Sequence, residues 1–185
     1  LFANVDQTRR AGIESSLQGQ WQAFSWLMAY SFIEATFEDS FQALSPNHAF
    51  ADDEGEISVR SGDRIPGIPQ HQFKLSSDYQ FTGGLSLGLD ILSNGNQVLR
   101  GDESNQLDEV SGYTMVSLRA RYSVNEKLEV FAKIDNLFDR EYESFGLLGE
   151  EPAELEVPII EDLTNPIFLG AGAPRAAFLG LRYNF

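Results

Sequence analysis

The stretch Ala173–Phe185, APRAAFLGLRYNF, decides how the rest of the chain is read. Counting back from Phe185, the residues Tyr183, Leu181, Leu179 and Ala177 share one face of an extended strand. Asn184, Arg182, Gly180, Phe178 and Ala176 share the other. Side chains alternate across a strand, so one face is greasy and the other is mixed and partly charged. In lipid every backbone N–H and C=O must be paired within the protein, which restricts strands there to closed rings. A strand with these two faces, ending on an aromatic residue, suits the closing strand of a transmembrane barrel.

The same period of two recurs upstream and predicts about seven strands. Residues 6–20 set Ala11, Ile13, Ser15 and Leu17 against Arg10, Glu14, Ser16, Gln18 and Gln20. Residues 22–37 set Phe24, Trp26, Met28, Tyr30 and Phe32 against Ser25, Leu27, Ala29 and Ser31. Residues 70–81 oppose Phe73, Leu75, Tyr79 and Phe81 to Gln72, Lys74, Ser76, Asp78 and Gln80. From Leu85 onward, Leu85, Leu87, Leu89 and Ile91 oppose Ser86, Gly88 and Asp90. Residues 112–122 and 127–137 continue the pattern, with Leu118 beside Arg119 and Ile134 beside Lys133.

Alternation alone does not separate a membrane barrel from a soluble barrel or sandwich, whose apolar face turns inward. The connections do. Short links near Trp21, Thr82-Gly83 and Ser123–Glu126 alternate with long ones at 38–69, 93–111 and 138–172. In an antiparallel series successive links lie at opposite ends of the sheet. All tight turns then gather at one end and all long loops at the other, which is the outer-membrane arrangement. Strands of ten or so residues match the ~9–11 that cross a bilayer at a tilt. Trp21, Tyr79, Phe81, Tyr122, Phe138, Tyr142 and Tyr183 sit near strand ends, where an interfacial girdle would lie.

Composition sets further bounds. The 185 residues suffice for one domain, and no run of 18 apolar residues encodes a transmembrane helix. A net charge of -15 argues against a nucleic-acid partner, which needs a basic face. Zero cysteines exclude disulfides and thiolate metal sites. Segments 38–64, 93–112 and 139–162 carry 7, 4 and 9 acidic residues, so 20 of 28 sit in the connections, read here as irregular.

Two segments resemble a known family. Val130–Tyr142, VFAKIDNLFDREY, is similar to the penultimate-strand signature of TonB-dependent outer-membrane receptors: an alternating strand, then Asn136, Leu137, Phe138 and Asp139, then Arg140, Glu141 and Tyr142. Gly62–Phe81 resembles a loop-to-strand passage of the same receptors, and the strand ending in Tyr183 and Phe185 resembles their last strand. The resemblance implies an all-β, antiparallel transmembrane β-barrel segment, with residues 1–185 as the C-terminal part of a barrel of about 22 strands. It implies a plug domain and a TonB-contacting segment elsewhere, neither of which is recognisable in this chain. An odd strand count and a start at Leu1 agree with the expectation of a fragment.

The resemblance also implies a Gram-negative outer-membrane location and TonB-dependent uptake of a ferric siderophore or similar scarce solute. Outer-membrane lipid, the plug, TonB and the barrel-assembly machinery would be the partners, the last reading Tyr183 and Phe185. No cofactor, metal or catalytic constellation is indicated, and an enzyme is not expected. Asn136, Leu137, Phe138, Asp139 and Tyr142 read as a structural element of the rim, with a bulge or bend where Leu137 and Phe138 break alternation. The charged set Arg10, Glu14, Lys74, Asp78, Asp90, Arg119, Arg121, Lys133, Asp135 and Arg182 reads as facing the lumen and plug. With Glu129 it is six positive and five negative, nearly neutral. His48 and His71 are candidate loop ligands, more simply read as structural. Two other classes stay open: a membrane-embedded barrel hydrolase, which would depend on His71 or His48, and a soluble lipocalin-like barrel with Leu85, Leu87 and Leu89 packed inside.

Overall fold

The structure, a computed structural model, describes residues 7–149 and 165–185. Among these, all regular structure is β. In chain order the strands are β1 (Thr8–Trp21), β2 (Phe24–Phe37), β3 (Phe41–Leu44), β4 (Glu56–Val59), β5 (His71–Gln80), β6 (Leu85–Asn94), β7 (Tyr113–Ser123), β8 (Leu128–Asp135), β9 (Glu143–Leu148), β10 (Ile167–Ala171) and β11 (Ala176–Tyr183). Seven of them form one antiparallel sheet in the order β1-β2-β5-β6-β7-β8-β11. These seven are the strands that the alternation predicts.

The register fixes what each face carries, because residues directly opposite on paired strands lie on the same face. One row runs Gly19, Trp26, Ser77, Leu89, Leu118, Ile134 and Ala177 across all seven strands. The next row, on the other face, runs Gln20, Ser25, Asp78, Gly88, Arg119, Lys133 and Phe178. The sheet therefore has one mainly apolar face and one that carries the charged residues of the middle strands, with Leu27, Phe131 and Phe178 interspersed among them. It does not close around its apolar face: Leu118, Leu179 and Leu181 are exposed on it. The sealed interior that a lipocalin-like barrel requires is not built from these residues.

Tight turns join the strands at one end. Gln22, at φ 52, and Ala23 link β1 to β2. Gly83 and Gly84, at φ 90 and 87, link β5 to β6, a conformation in which a Cβ would clash with its own backbone. Asn125 Oδ1 accepts from the amides of Lys127 and Leu128 to shape the turn before β8. Trp21, Tyr79, Tyr122 and Tyr183 lie on the apolar face beside these turns. Tyr142 does not join them. It lies at the opposite end, with its ring 4.3 Å from that of Tyr113, a residue on the polar face opposite Asn94.

The long connections depart from the sequence expectation. Instead of being irregular throughout, they contain the β3–β4 hairpin and the β9–β10 pair. They also hold most of the buried apolar residues: Ile57, Val59, Val98, Leu99 and Val110, over Ala35 and Phe37 at the end of β2. The only well-packed core in the described residues is thus a cap at the long-connection end. An open sheet with nothing stacked on either face leaves its own side chains half exposed, so burial concentrates where three connections fold over one another.

Candidate functional site

The polar face is organised around Arg119 in the middle of β7. Its Nε donates to Asp90 Oδ2 at 2.5 Å, and Nη2 donates to Asp90 Oδ1 at 3.1 Å. Nη1 and Nη2 reach the two oxygens of Asp78, each at 3.2 Å. Ser76 Oγ accepts from Nη2 at 3.1 Å and donates to Asp90 Oδ1 at 2.7 Å. Gly88 makes room for this fork: a Cβ there would lie 2.9 Å from Arg119 Cζ and 2.7 Å from Asp78 Oδ1. A planar guanidinium with five donors is suited to bridge two carboxylates on neighbouring strands.

All ten charged residues singled out from the sequence fall on this one face by register or by strand parity: Arg10, Glu14, Lys74, Asp78, Asp90, Arg119, Arg121, Lys133, Asp135 and Arg182. They do not form one continuous network. Lys133 pairs with Asp135 at 2.9 Å and Arg182 with Glu129 at 3.3 Å. Arg10, Glu14, Lys74 and Arg121 make no ion pair with the described residues.

At the end of β8 the Asn136–Tyr142 segment forms a stapled turn. Asn136 is buried at φ 50, and its Oδ1 accepts from the Arg140 amide while its Nδ2 donates to Arg140 O, both at 2.9 Å. Nδ2 also donates to Ala173 O at 3.1 Å. Asp139, at φ 52, accepts from the Arg175 amide at 3.0 Å. Asn and Asp are the side chains that best tolerate a left-handed backbone while satisfying nearby polar groups. These bonds tie the start of the 136–175 connection to its end, which is required because β8 and β11 are neighbours. The Leu137 amide donates to Val116 O at 2.8 Å, continuing the ladder past β8, while Phe138 is left exposed. Tyr142 lies flat over Gly172, whose Cβ position falls 2.1 Å from the ring. Phe131 covers Gly180 and Phe145 covers Gly170 in the same way, each directly across a strand pair.

The two histidines differ. His48 is buried, its Nδ1 accepting from the Phe50 amide at 3.1 Å and its Nε2 donating to Asp102 Oδ1 at 2.9 Å. Asp102, also buried, further accepts from Ser104 Oγ and from the amides of Gln106 and Leu107. With both nitrogens engaged, His48 has no lone pair for a metal chelate. His71 lies on the apolar face opposite Phe32 and hydrogen-bonds Tyr30 through Nδ1 at 2.8 Å. The His48–Asp102 pair links residues 54 positions apart and carries no local motif, so sequence reading missed it.

A sheet with one greasy and one charged face, tight turns at one rim and a folded cap at the other is a piece of the wall of an outer-membrane-type β-barrel. Residues 1–137 match the family model described as TonB dependent receptor-like, beta-barrel, and the chain belongs to that family. Over 130 residues it is 28% identical to the metal-pseudopaline receptor CntO of Pseudomonas aeruginosa, covering 69% of this chain and 16% of that protein. It is likewise 28% identical over 123 residues to the ferric-pyoverdine 358 receptor of Pseudomonas putida, covering 65% of the chain and 13% of the relative. The crystal structure of the siderophore receptor PiuA from Acinetobacter baumannii superposes with a TM-score of 0.71 at 16% identity, over 95% of this chain and 22% of that one. The chain thus spans less than a fifth of the length of those two receptors and shares its fold with about a fifth of PiuA.

Proposed function

We propose that this chain is the C-terminal part of the barrel wall, with its extracellular cap, of an outer-membrane receptor for TonB-dependent uptake of a ferric siderophore or similar large, scarce solute. The observation that carries the reading is the pair of adjacent rows crossing all seven strands, one mainly apolar and the other mainly polar, with Asp78, Arg119 and Lys133 at its centre. A wall between acyl chains and a wet interior needs that division, and both edges of the sheet, β1 and β11, need neighbouring strands to close in lipid. The family and the named siderophore and metallophore receptors support the solute class.

In this reading Arg10, Glu14, Lys74, Asp78, Asp90, Arg119, Arg121, Lys133, Asp135 and Arg182 face the lumen and a plug domain held by another part of the polypeptide. Asn136, Leu137, Phe138, Asp139 and Tyr142 build the rim. Tyr183 and Phe185 are read by the barrel-assembly machinery. The chain supplies wall and loops rather than catalysis, as its relatives are receptors.

The test is solute-dependent growth. A strain lacking the full-length receptor loses growth on an iron- or metal-limited medium supplemented with its solute. Restoring the gene recovers growth only when TonB is present. Recovery without TonB refutes the proposal.

A further inference from the structure

At the base of the β9–β10 pair, where the 136–175 connection leaves and rejoins the wall, lies a recess of about 530 Å³. That volume falls in the range of small-molecule sites, ~300–1,000 Å³. Asp139, Arg140, Glu141, Tyr142, Glu143 and Gly172 line it, among others. Its frame is held in place. Asn136 bonds both backbone groups of Arg140, the Gly172 amide donates to Tyr142 O at 2.7 Å, and the Tyr142 ring lies over Gly172. The same ring meets Tyr113 on the polar face. Tyr113 is fixed in turn: its hydroxyl accepts from Asn94 Nδ2 at 2.7 Å, and Asn94 Oδ1 accepts from Gln72 Nε2 at 2.8 Å. The recess therefore stands beside the polar face at the long-connection end, where a solute arriving from outside would first meet the wall.

Its charges are not all engaged. Asp139 accepts from the Arg175 amide, and its other oxygen lies 3.4 Å from the Arg175 guanidinium. Arg140, Glu141 and Glu143 make no ion pair with the described residues. A guanidinium fork matches a carboxylate, and carboxylates beside an aromatic face suit an ammonium. A simple anion in the recess would meet Glu141 and Glu143, and a simple cation would meet Arg140. A ligand that carries both signs close together satisfies all three.

We infer that the recess binds an amino-acid-like, zwitterionic end of the solute, with the carboxylate on Arg140 and the ammonium between Glu141 and Glu143 against the Tyr142 ring. This rests on the uptake reading and narrows its solute to one that keeps a free amine and a free carboxylate on the same carbon. Because the backbone of Arg140 and Tyr142 is already pinned, little ordering remains for binding to oppose.

The experiment is saturation-transfer NMR on the full-length receptor in detergent micelles, with L-alanine, ethylamine and propionate as probes. L-Alanine should give a saturable signal. Ethylamine and propionate should bind at least about tenfold more weakly, since each lacks one charge-assisted contact. Arg140→Gln, and the double variant Glu141→Gln with Glu143→Gln, should each weaken L-alanine binding by about tenfold or more, with heat-modifiable mobility on gels confirming the folded barrel. The three-probe comparison on the parent receptor needs no variant. No saturable L-alanine signal, or L-alanine binding unchanged in both variants, overturns the inference. So does ethylamine or propionate binding as tightly as L-alanine, which would make the occupant a simple cation or a simple anion. Such a result leaves the uptake reading in place while growth still requires TonB, whereas growth restored without TonB removes that reading whatever L-alanine does.

Discussion

Leu17 and Gln18 are consecutive residues of β1, on opposite faces, and both are exposed in the described chain; Leu17 is 58% exposed. Replacing each with arginine in the full-length receptor therefore compares the two media that the faces meet, with little change in packing. Leu17 lies four residues from Trp21 at the short-turn rim, about 13 Å along the strand. With a tilt of about 40°, that places it about 10 Å into an apolar band about 25 Å tall, close to the midplane. An arginine facing lipid at that depth costs ~2–4 kcal/mol. At 1.4 kcal/mol per factor of ten, the folding equilibrium falls by about 30- to 700-fold. Gln18→Arg faces the wet side in a row with Leu27 and Ser76 and should stay within ~0.5 kcal/mol of the parent. Urea unfolding in phosphatidylcholine vesicles, followed by heat-modifiable mobility on gels, reads both. Equal stability of the two variants, or greater loss in Gln18→Arg, refutes the orientation on which the functional proposal depends.

Three further perturbations follow from particular contacts. Gly180→Ala drives a methyl into the Phe131 ring, 2.2 Å from the Cβ position, and should destabilise the β8–β11 pairing by ~1–3 kcal/mol. The double variant with Phe131→Ala should recover part of that loss, as a double-mutant cycle in the same unfolding assay would show. Asp102→Asn turns an acceptor of four hydrogen bonds into a group that presents N–H toward a donor, at a cost of ~1–3 kcal/mol. Hydrogen exchange should quicken in 45–59 and 97–110 while β5 to β8 stay protected, and unchanged protection in the cap would contradict that assignment. Deleting Phe185 should lower the amount of receptor displayed at the cell surface without changing the stability of the fraction that assembles, and normal display would remove the assembly role given to that residue.

The seven wall strands were legible because a wall between two media imposes a strict period of two over eight or more residues. Leu85 to Ile91 and Leu118 to Arg121 have no freedom to break it. The four cap strands were not legible for the converse reason. FQAL, EISV, ESFGLL and IFLGA are four to six residues long, are bordered by acidic or polar segments, and pack against one another rather than against a uniform medium. The charged residues of the wall could be placed on one face from parity alone. Which of them pair could not, because Arg119 meets Asp78 and Asp90 through a register set by three strands, and the turns that fix it lie outside any one segment. Tyr142 was misplaced in the girdle for a related reason: after Asn136 the backbone leaves the strand, and parity counting no longer says where a ring points.

The cap also constrains how the long-connection end can behave. The connection between β2 and β5 is bound to the one between β6 and β7 through His48–Asp102, Ser45–Gly101, Arg64–Asn105, the Arg64–Glu109 ion pair and the Gly67 amide to Val98 O. The latter is bound to β9 by Arg100 and Gln97, and Asn47 reaches Gly149 O. Peeling one connection away exposes Ile57, Val59, Val98, Leu99 and Val110, at ~1.5–3 kcal/mol for each side chain returned to water. Even half of that set puts the separated state about 4 kcal/mol or more above the closed one, a population of about one in five hundred or less. A solute that worked by parting these connections would need an affinity difference of that size between the two states. Among the described residues the cap is therefore a preorganised unit whose three connections hold together as one body.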